Sequence, residues 1–230
     1  MAQTRRERIR EATIDEIKST AWKQAGEQGA AALSLRAIAR EMGMTAPGLY
    51  RYYPDRDALV TALLIDAFDS FSAALEAARD ACAADDHLGR FRAISKAYFG
   101  WGAAHPQRYI FLFGTPITGY QLSQEVAPSA QRSFLVLQGV IGEAHAAGKI
   151  TGELTSLKMP TSLKSQYEAL RKMGMPYTPV VTHVALSVWG MVHGVTSLFL
   201  YGYFTGFLGE QVGTFVDFEI EKTIRAFGLA

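Results

Sequence analysis

One stretch constrains the fold of this 230-residue chain more than any other: Leu33 to Leu59, LSLRAIAREMGMTAPGLYRYYPDRDAL. Ser34 is a good N-cap, and Leu35, Ile38, Ala39 and Met42 follow it at helical spacing. Gly43 ends that helix, because glycine enters the left-handed region without a Cβ penalty. Thr45 caps a second helix predicted over Ala46 to Tyr52, with Pro47 in the first turn, where its missing N–H costs nothing. Pro54 stops this helix and Asp55 caps a third, which is long. Two short helices joined by a tight glycine turn make a helix-turn-helix. Its second helix offers Thr45, Tyr50, Arg51 and Tyr52, with Arg56 just beyond.

The rest of the chain also reads as helix. Thr4 to Gln28 is one long helix with Ile9, Thr13, Ile17, Ala21 and Ala25 on one face and Gly29 as its C-terminal cap. Its tip carries Arg5, Arg6, Arg8 and Arg10, a cluster that is either solvated or set against phosphates. Arg56 to about residue 84 is a second long helix with Leu59, Leu63, Ala67, Phe71 and Leu75 as its buried stripe. Asp85 and Asp86 cap the next, His87 to about His105, which Pro106 breaks. Residues 106–120 predict one short helix and then a loop; Pro128 to about Ala147 is a further helix, stopped by Gly148. Residues 149–178 carry the weakest pattern, with a short helix expected at Thr161 to Met173.

From Met173 to Gly209 there is no Asp, Glu, Lys or Arg. A run of that length is compatible with a membrane span. Thr182, His183, Ser187, His193, Thr196 and several glycines interrupt it, and no basic cluster flanks it, so the expectation is a helix buried on all sides. Glycines at 190, 194, 202 and 206 fall at four-residue multiples, a spacing that suits close helix–helix approach. The last helix, Gly209 to about Phe227, buries Val212, Phe215, Val216 and Ile220.

Charge and chemistry narrow the function classes. Formal net charge is only +1, but residues 1–60 carry +2 and the remainder −1, which favours a polyanion at the N-terminal part. Cys82 is alone, which fits a reducing cytoplasm, and the charged N-terminus is not a secretory signal. The five histidines show no i, i+4 pair, and there is no phosphate-binding glycine loop and no nucleophile elbow. Neither a catalytic site, a metal site nor a cofactor is therefore expected.

Gly29, Leu33-Ser34-Leu35, Ile38-Ala39, Met44-Thr45, Leu49-Tyr50, Tyr52-Tyr53 and Leu59 together resemble the DNA-binding domain of the tetracycline-repressor (TetR) family of bacterial transcription regulators. Arg56 stands where that family most often has lysine, which keeps the charge but not the contact geometry. More weakly, Trp189-Gly190-Met191-Val192-His193-Gly194 resembles the signature of the WHG-type C-terminal domain of some TetR-like regulators.

The resemblance implies an all-α protein: a three-helix, helix-turn-helix DNA-binding domain over 1–58 and a helical ligand-binding and dimerisation domain over 59–230. It implies phosphate contacts from Thr45, Tyr50 and Arg56. The residues themselves add Arg36 as a backbone contact, Ala46 and Pro47 against thymine methyls, Arg51 as either a guanine reader or a phosphate contact, and Tyr52 as either a contact or a packing aromatic. Tyr98, Trp101, Phe113, Tyr120, Trp189 and His193 are candidates for an apolar effector pocket, with core filling as the plainer role of each. The expected partners are a double-stranded palindromic operator, a small-molecule effector and a second copy of the chain, with no membrane. The expected function is a cytoplasmic, ligand-responsive regulator, a repressor released by its effector. An activator of the same fold and a membrane-tethered DNA-binding protein are the alternatives.

Overall fold

The computed structural model describes residues 4–151, 158–172 and 176–229. Ten α-helices lie among them: α1 (Arg5–Gln28), α2 (Leu35–Glu41), α3 (Ala46–Tyr50), α4 (Arg56–Asp80), α5 (His87–Ala104), α6 (Pro106–Phe113), α7 (Ala127–Ala146), α8 (Thr161–Lys172), α9 (Pro179–Leu200) and α10 (Val212–Phe227). The one β contact among the described residues is an isolated bridge between Ile150 and Leu229.

The helix starts at Ser34, Thr45, Asp55 and Asp86 follow the capping residues read in the sequence, and Thr4 and Thr178 are two further caps. Thr4 closes a capping box with Glu7. Ser34 accepts from the Ala37 amide, Thr45 from Gly48, Asp55 from Ala58, Asp86 from Gly89 and Thr178 from Val181. Several ends differ from expectation. α3 stops at Tyr50, and Arg51 and Tyr52 lie in the turn that follows, where the Tyr52 and Tyr53 amides both donate to the Leu49 carbonyl. α4 ends at Asp80. Pro106 not only ends α5 but opens α6 as its first residue. A 3-10 turn at Gly209–Gln211 precedes α10. The helix expected at Thr161 is α8, while Met173 lies outside the described residues.

The chain divides into two compact units, residues 1–68 with 105–129 and residues 69–104 with 130–230. In the first, Ile17, Ala21, Leu35, Ile38, Leu49 and Leu59 are buried between α1, α2, α3 and α4. Each of the leucines and isoleucines contributes about 1.5–3 kcal/mol by leaving water. Ile9, which the apolar period of α1 places on its buried face, is exposed: the burial of α1 begins at Ile17. α6 packs on α1, with Phe111 edge-on to Trp22 at 4.9 Å and the Arg108 guanidinium 5.0 Å from the Trp22 ring. Asp66 joins α4 to both of these helices, accepting from Lys18 Nζ at 3.2 Å and Trp22 Nε1 at 3.3 Å, with Arg108 Nη1 at 3.2 Å.

In the second unit, α5 packs against α9 and α10, and α9 also against α8 and α10. Phe91, Ile94, Val184, Ala185, Val188, Val192, Ile220 and Ile224 fill its core. Arg92 of α5 holds the Glu221 carboxylate of α10 through Nε and Nη2, at 2.5 and 2.8 Å, and Lys96 reaches Asp217 at 2.9 Å. Burial on all sides does not hold for α9. Its buried face is Val181, Val184, Ala185, Val188, Val192 and Thr196, while Ser187, Trp189, Gly190 and Leu198 are exposed. By length and composition alone, α4 and α9 are both apolar enough to cross a membrane.

Candidate nucleic-acid interface and effector region

The helix-turn-helix is built by three local devices. The Ser34 amide donates to the buried Gln24 side chain, which ties the start of α2 to α1. Gly43 takes φ +65°, a conformation open to it because it lacks Cβ, and redirects the chain from α2 into α3. Leu49 and Tyr53 then bury inward, so that Pro47, Tyr50 and Arg51 face solvent and Ala46 and Tyr52 are half-buried.

Each candidate DNA contact has a defined setting. Thr45 Oγ1 accepts from the Gly48 amide at 3.3 Å, which uses a lone pair and leaves the hydroxyl proton to donate outward. Tyr50 is 40% exposed. Arg36 is exposed in the first turn of α2. The Arg10 guanidinium sits 5.4 Å from the centre of the Tyr52 ring, which brings a cation of α1 beside the turn after α3. Arg56 is engaged within the fold. Its Nη2 donates to the Ala30 and Ala31 carbonyls at 3.1 and 3.3 Å, and Nη1 lies 3.7 Å from Asp57.

The six effector candidates are divided between the two units. Phe113 and Tyr120 belong to the first unit, where Phe113 meets Phe68 edge-on and Tyr120 shares a 2.9 Å hydrogen bond with Thr61. Tyr98, Trp101, Trp189 and His193 belong to the second. There Phe71 contacts both Tyr98 and Trp101, each at 4.9 Å between ring centres, and Trp101 Nε1 donates to Ser70.

Trp189 Nε1 donates to the Tyr98 hydroxyl at 3.2 Å, and that hydroxyl lies 3.1 Å from His193 Nδ1. An indole nitrogen only donates, so the phenol oxygen accepts from Trp189. His193 Nε2 on the other side of the ring lies 3.5 Å from Ser197 Oγ. Burial lowers the His193 pKa below the ordinary histidine value, in keeping with the neutral form. Four buried or half-buried groups not singled out by the sequence also line this unit: Gln138, whose Nε2 donates to Thr182, and Ser72, Ser95 and Phe134, the last stacked edge-on to Trp189. No periodicity distinguishes these polar residues from solvated ones.

A short, capped recognition helix on a three-helix support, followed by a separate helical unit, defines a helix-turn-helix DNA-binding protein with a C-terminal regulatory part. Residues 17–63 match the bacterial regulatory proteins of the tetR family, and residues 91–223 match the tetracyclin repressor-like C-terminal domain. The chain belongs to the TetR family of transcriptional regulators, ligand-responsive DNA-binding proteins.

The HTH-type transcriptional regulator Rv1816 of Mycobacterium tuberculosis is 35% identical over 201 residues, which cover 85% of this chain and 83% of that protein; Mb1846 of Mycobacterium bovis matches equally. Among solved structures, the regulatory protein SCO4313 superposes with a TM-score of 0.79 at 35% identity, covering 96% of this chain and 99% of that one. AibR, solved with isovaleryl coenzyme A and operator DNA, shares the fold with a TM-score of 0.59 at 18% identity, covering 94% and 99%.

Proposed function

We propose that this chain is a homodimeric repressor that holds a palindromic operator through α3 and leaves it when the second unit takes up a small organic effector. The reading divides the labour between a DNA-binding domain over 1–58 and a ligand-binding and dimerisation domain over 59–230. The observation that carries it is the outward face of residues 45–52, where a capping threonine, an exposed tyrosine and an exposed arginine stand on a helix that Gly43 and Leu49 hold in place.

α3 enters the major groove. Thr45, Tyr50 and Arg36 bind phosphates and set register; Ala46 and Pro47 meet thymine methyls; Arg51 supplies the base contact, with Tyr52 beside it. Arg56 contacts the backbone only through donors not engaged by Ala30 and Ala31, so its first role is to fix the start of α4. One α3 reads too few base pairs for genomic specificity, and a two-fold dimer doubles the site.

The open face of α9, with Leu198 exposed and no atom within 4 Å of where a Cβ would stand at Gly190 and Gly194, supports pairing with a second copy in preference to a bilayer. Tyr98, Trp101, Trp189 and His193 supply an aromatic wall with a polar chain through it for the effector. The chromosome sets the place of work as the cytoplasm.

Fluorescence anisotropy on duplexes from the gene's own upstream region, beside a scrambled duplex at two salt concentrations, tests the proposal. Tight, salt-sensitive binding to one palindromic duplex is the expected result. Absence of binding to any duplex at low salt overturns it.

A further inference from the structure

The core covers α1 only from Ile17 onward, yet the helix starts about three turns earlier, at Arg5. Those first turns are not held by packing, and Ile9 within them is 55% exposed. They keep their shape through the capping box, in which Thr4 Oγ1 accepts from the Glu7 amide and the Thr4 amide donates to the Glu7 carboxylate at 2.7 Å. Counting back from Ile17 in steps of four, three and four residues gives Thr13, Arg10 and Arg6 on one face of the helix. Thr13 is half-buried, and Arg10 and Arg6 are exposed. At Arg10 this face passes the recognition element: the guanidinium stands 5.4 Å from the centre of the Tyr52 ring, in the turn after α3. Arg6 lies one turn, about 6 Å, further out. Arg5 and Arg8 fall on the other side of the helix.

We infer that Arg6 and Arg10 form a cationic ridge on α1 that binds operator phosphates beyond the end of α3. The inference rests on the DNA-binding reading above and adds to it a second helix and two named contacts.

Charge comes first. Neither guanidinium forms an ion pair with a described residue, and Glu7, the acid beside Arg6, is committed to the capping box. Both are therefore open to an external anion. Order comes second. A guanidinium set against an aromatic ring is already placed, so Arg10 loses less side-chain freedom on binding than a solvated arginine does. Position selects the anion. A ligand lying along the outward face of α3 and carrying negative charge at intervals continues past Tyr52 to Arg10 and then Arg6, and a nucleic-acid backbone does this where a lone phosphate does not. Arginine suits the contact because its planar fork can donate twice to one phosphate.

Anisotropy titrations of the full-length protein at four salt concentrations, on the gene's own upstream duplex and on a scrambled duplex, test this with wild type, Arg10→Gln, Arg6→Gln, the double variant and Arg8→Gln. Glutamine removes the charge and keeps a good helix former. The slope of log affinity against log salt is expected to fall by about 1.8 in each single variant at position 6 or 10, about 0.9 from each of two protomers, and by about twice that in the double variant. The loss is expected on both duplexes alike, because phosphate contacts carry no sequence information. Arg8→Gln removes the same charge from the other side of the same turns, and its slope is expected to stay within ~0.5 of wild type. A double variant whose slope stays that close to wild type overturns the ridge and leaves the DNA-binding reading standing. An equal fall in Arg8→Gln overturns it in favour of a diffuse positive field. An Arg10 that only props the turn after α3 would shift the melting midpoint and not the slope, which also overturns its contact. Arg6→Gln alters an exposed side chain beyond the core and carries the test should Arg10→Gln disturb that turn. A wild type that binds neither duplex at low salt removes both readings.

Discussion

Replacing Tyr50 by Phe removes one oxygen from the surface of α3 and nothing from its core. The ring is 40% exposed and the helix is held by Leu49 and the Thr45 cap, so the thermal midpoint of the free protein is expected to stay within the ~0.5 kcal/mol scatter of surface changes. Operator binding is expected to fall steeply. A hydrogen bond to a charged acceptor contributes about 1.5–3 kcal/mol, and the lower figure suits an exposed phosphate. Two protomers on a palindrome lose it twice, about 3 kcal/mol, or roughly a hundredfold in dissociation constant at 1.4 kcal/mol per decade. The change deletes no cation, so the slope of log affinity against log salt is expected to be unchanged. Arg51→Ala, by contrast, is expected to lower that slope by about 0.9 for each phosphate the guanidinium neutralises. Anisotropy titrations at four salt concentrations measure both quantities. An affinity within twofold of wild type, or a slope that moves with the phenol, would refute a phosphate contact at Tyr50.

Gly43→Ala is expected to destabilise the first unit by about 1–2 kcal/mol, since no atom lies within 4 Å of the added Cβ and the cost is that of φ +65° alone; chemical denaturation measures it. Asp66→Ala takes the acceptor from Trp22, Lys18 and Arg108 at once and is expected to cost about 1–3 kcal/mol, less for the ion pairs because all three charged side chains are about a quarter exposed. An unchanged melting curve would show that the convergence on Asp66 is incidental.

His193, whose pKa is lowered by burial, binds its proton more readily in the unfolded chain. Its contribution to stability is therefore complete above the ordinary histidine value near 6.5 and is lost as pH falls below that value through the folded pKa. Melting temperatures between pH 7.5 and 5 are expected to fall less steeply in His193→Gln than in wild type.

What can be read from the sequence is whatever a few neighbouring residues decide. Ser34, Thr45, Asp55 and Asp86 each announce a helix because the cap and the amide it satisfies lie within three residues of each other. The stripe Leu59, Leu63, Ala67, Phe71, Leu75 on α4 is buried along its length, as its spacing requires. Features that join distant segments leave no such trace. Asp66 looks like any polar residue of an amphipathic helix, and only its meeting with residues 18, 22 and 108 gives it a role. Ile9 fits the apolar period of α1, but it stays exposed, because the packing of that face begins at Ile17. Phe113 and Tyr120 read as aromatics near Tyr98 in sequence, and yet they group with the first unit. Arg56 fits a charge pattern, while two carbonyls more than twenty residues upstream already claim its donors.

The proposed switching would run through a segment of the second kind. α4 gives its first half to one unit and its second half to the other, with the division at Phe68 and Asp69. A continuous hydrogen-bonded helix of 25 residues is stiff, so an effector that favours one arrangement of the second unit must either move the first half of α4 or break the helix. Inserting two glycines after Phe68 weakens the helix by about 1 kcal/mol for each glycine and also rotates the register beyond it. Operator affinity without effector is then expected to fall only as far as the dimer spacing loosens, while the effector's ability to change that affinity is expected to disappear. An insertion protein that still releases DNA on adding effector, with wild-type amplitude, would show that the signal does not travel along α4.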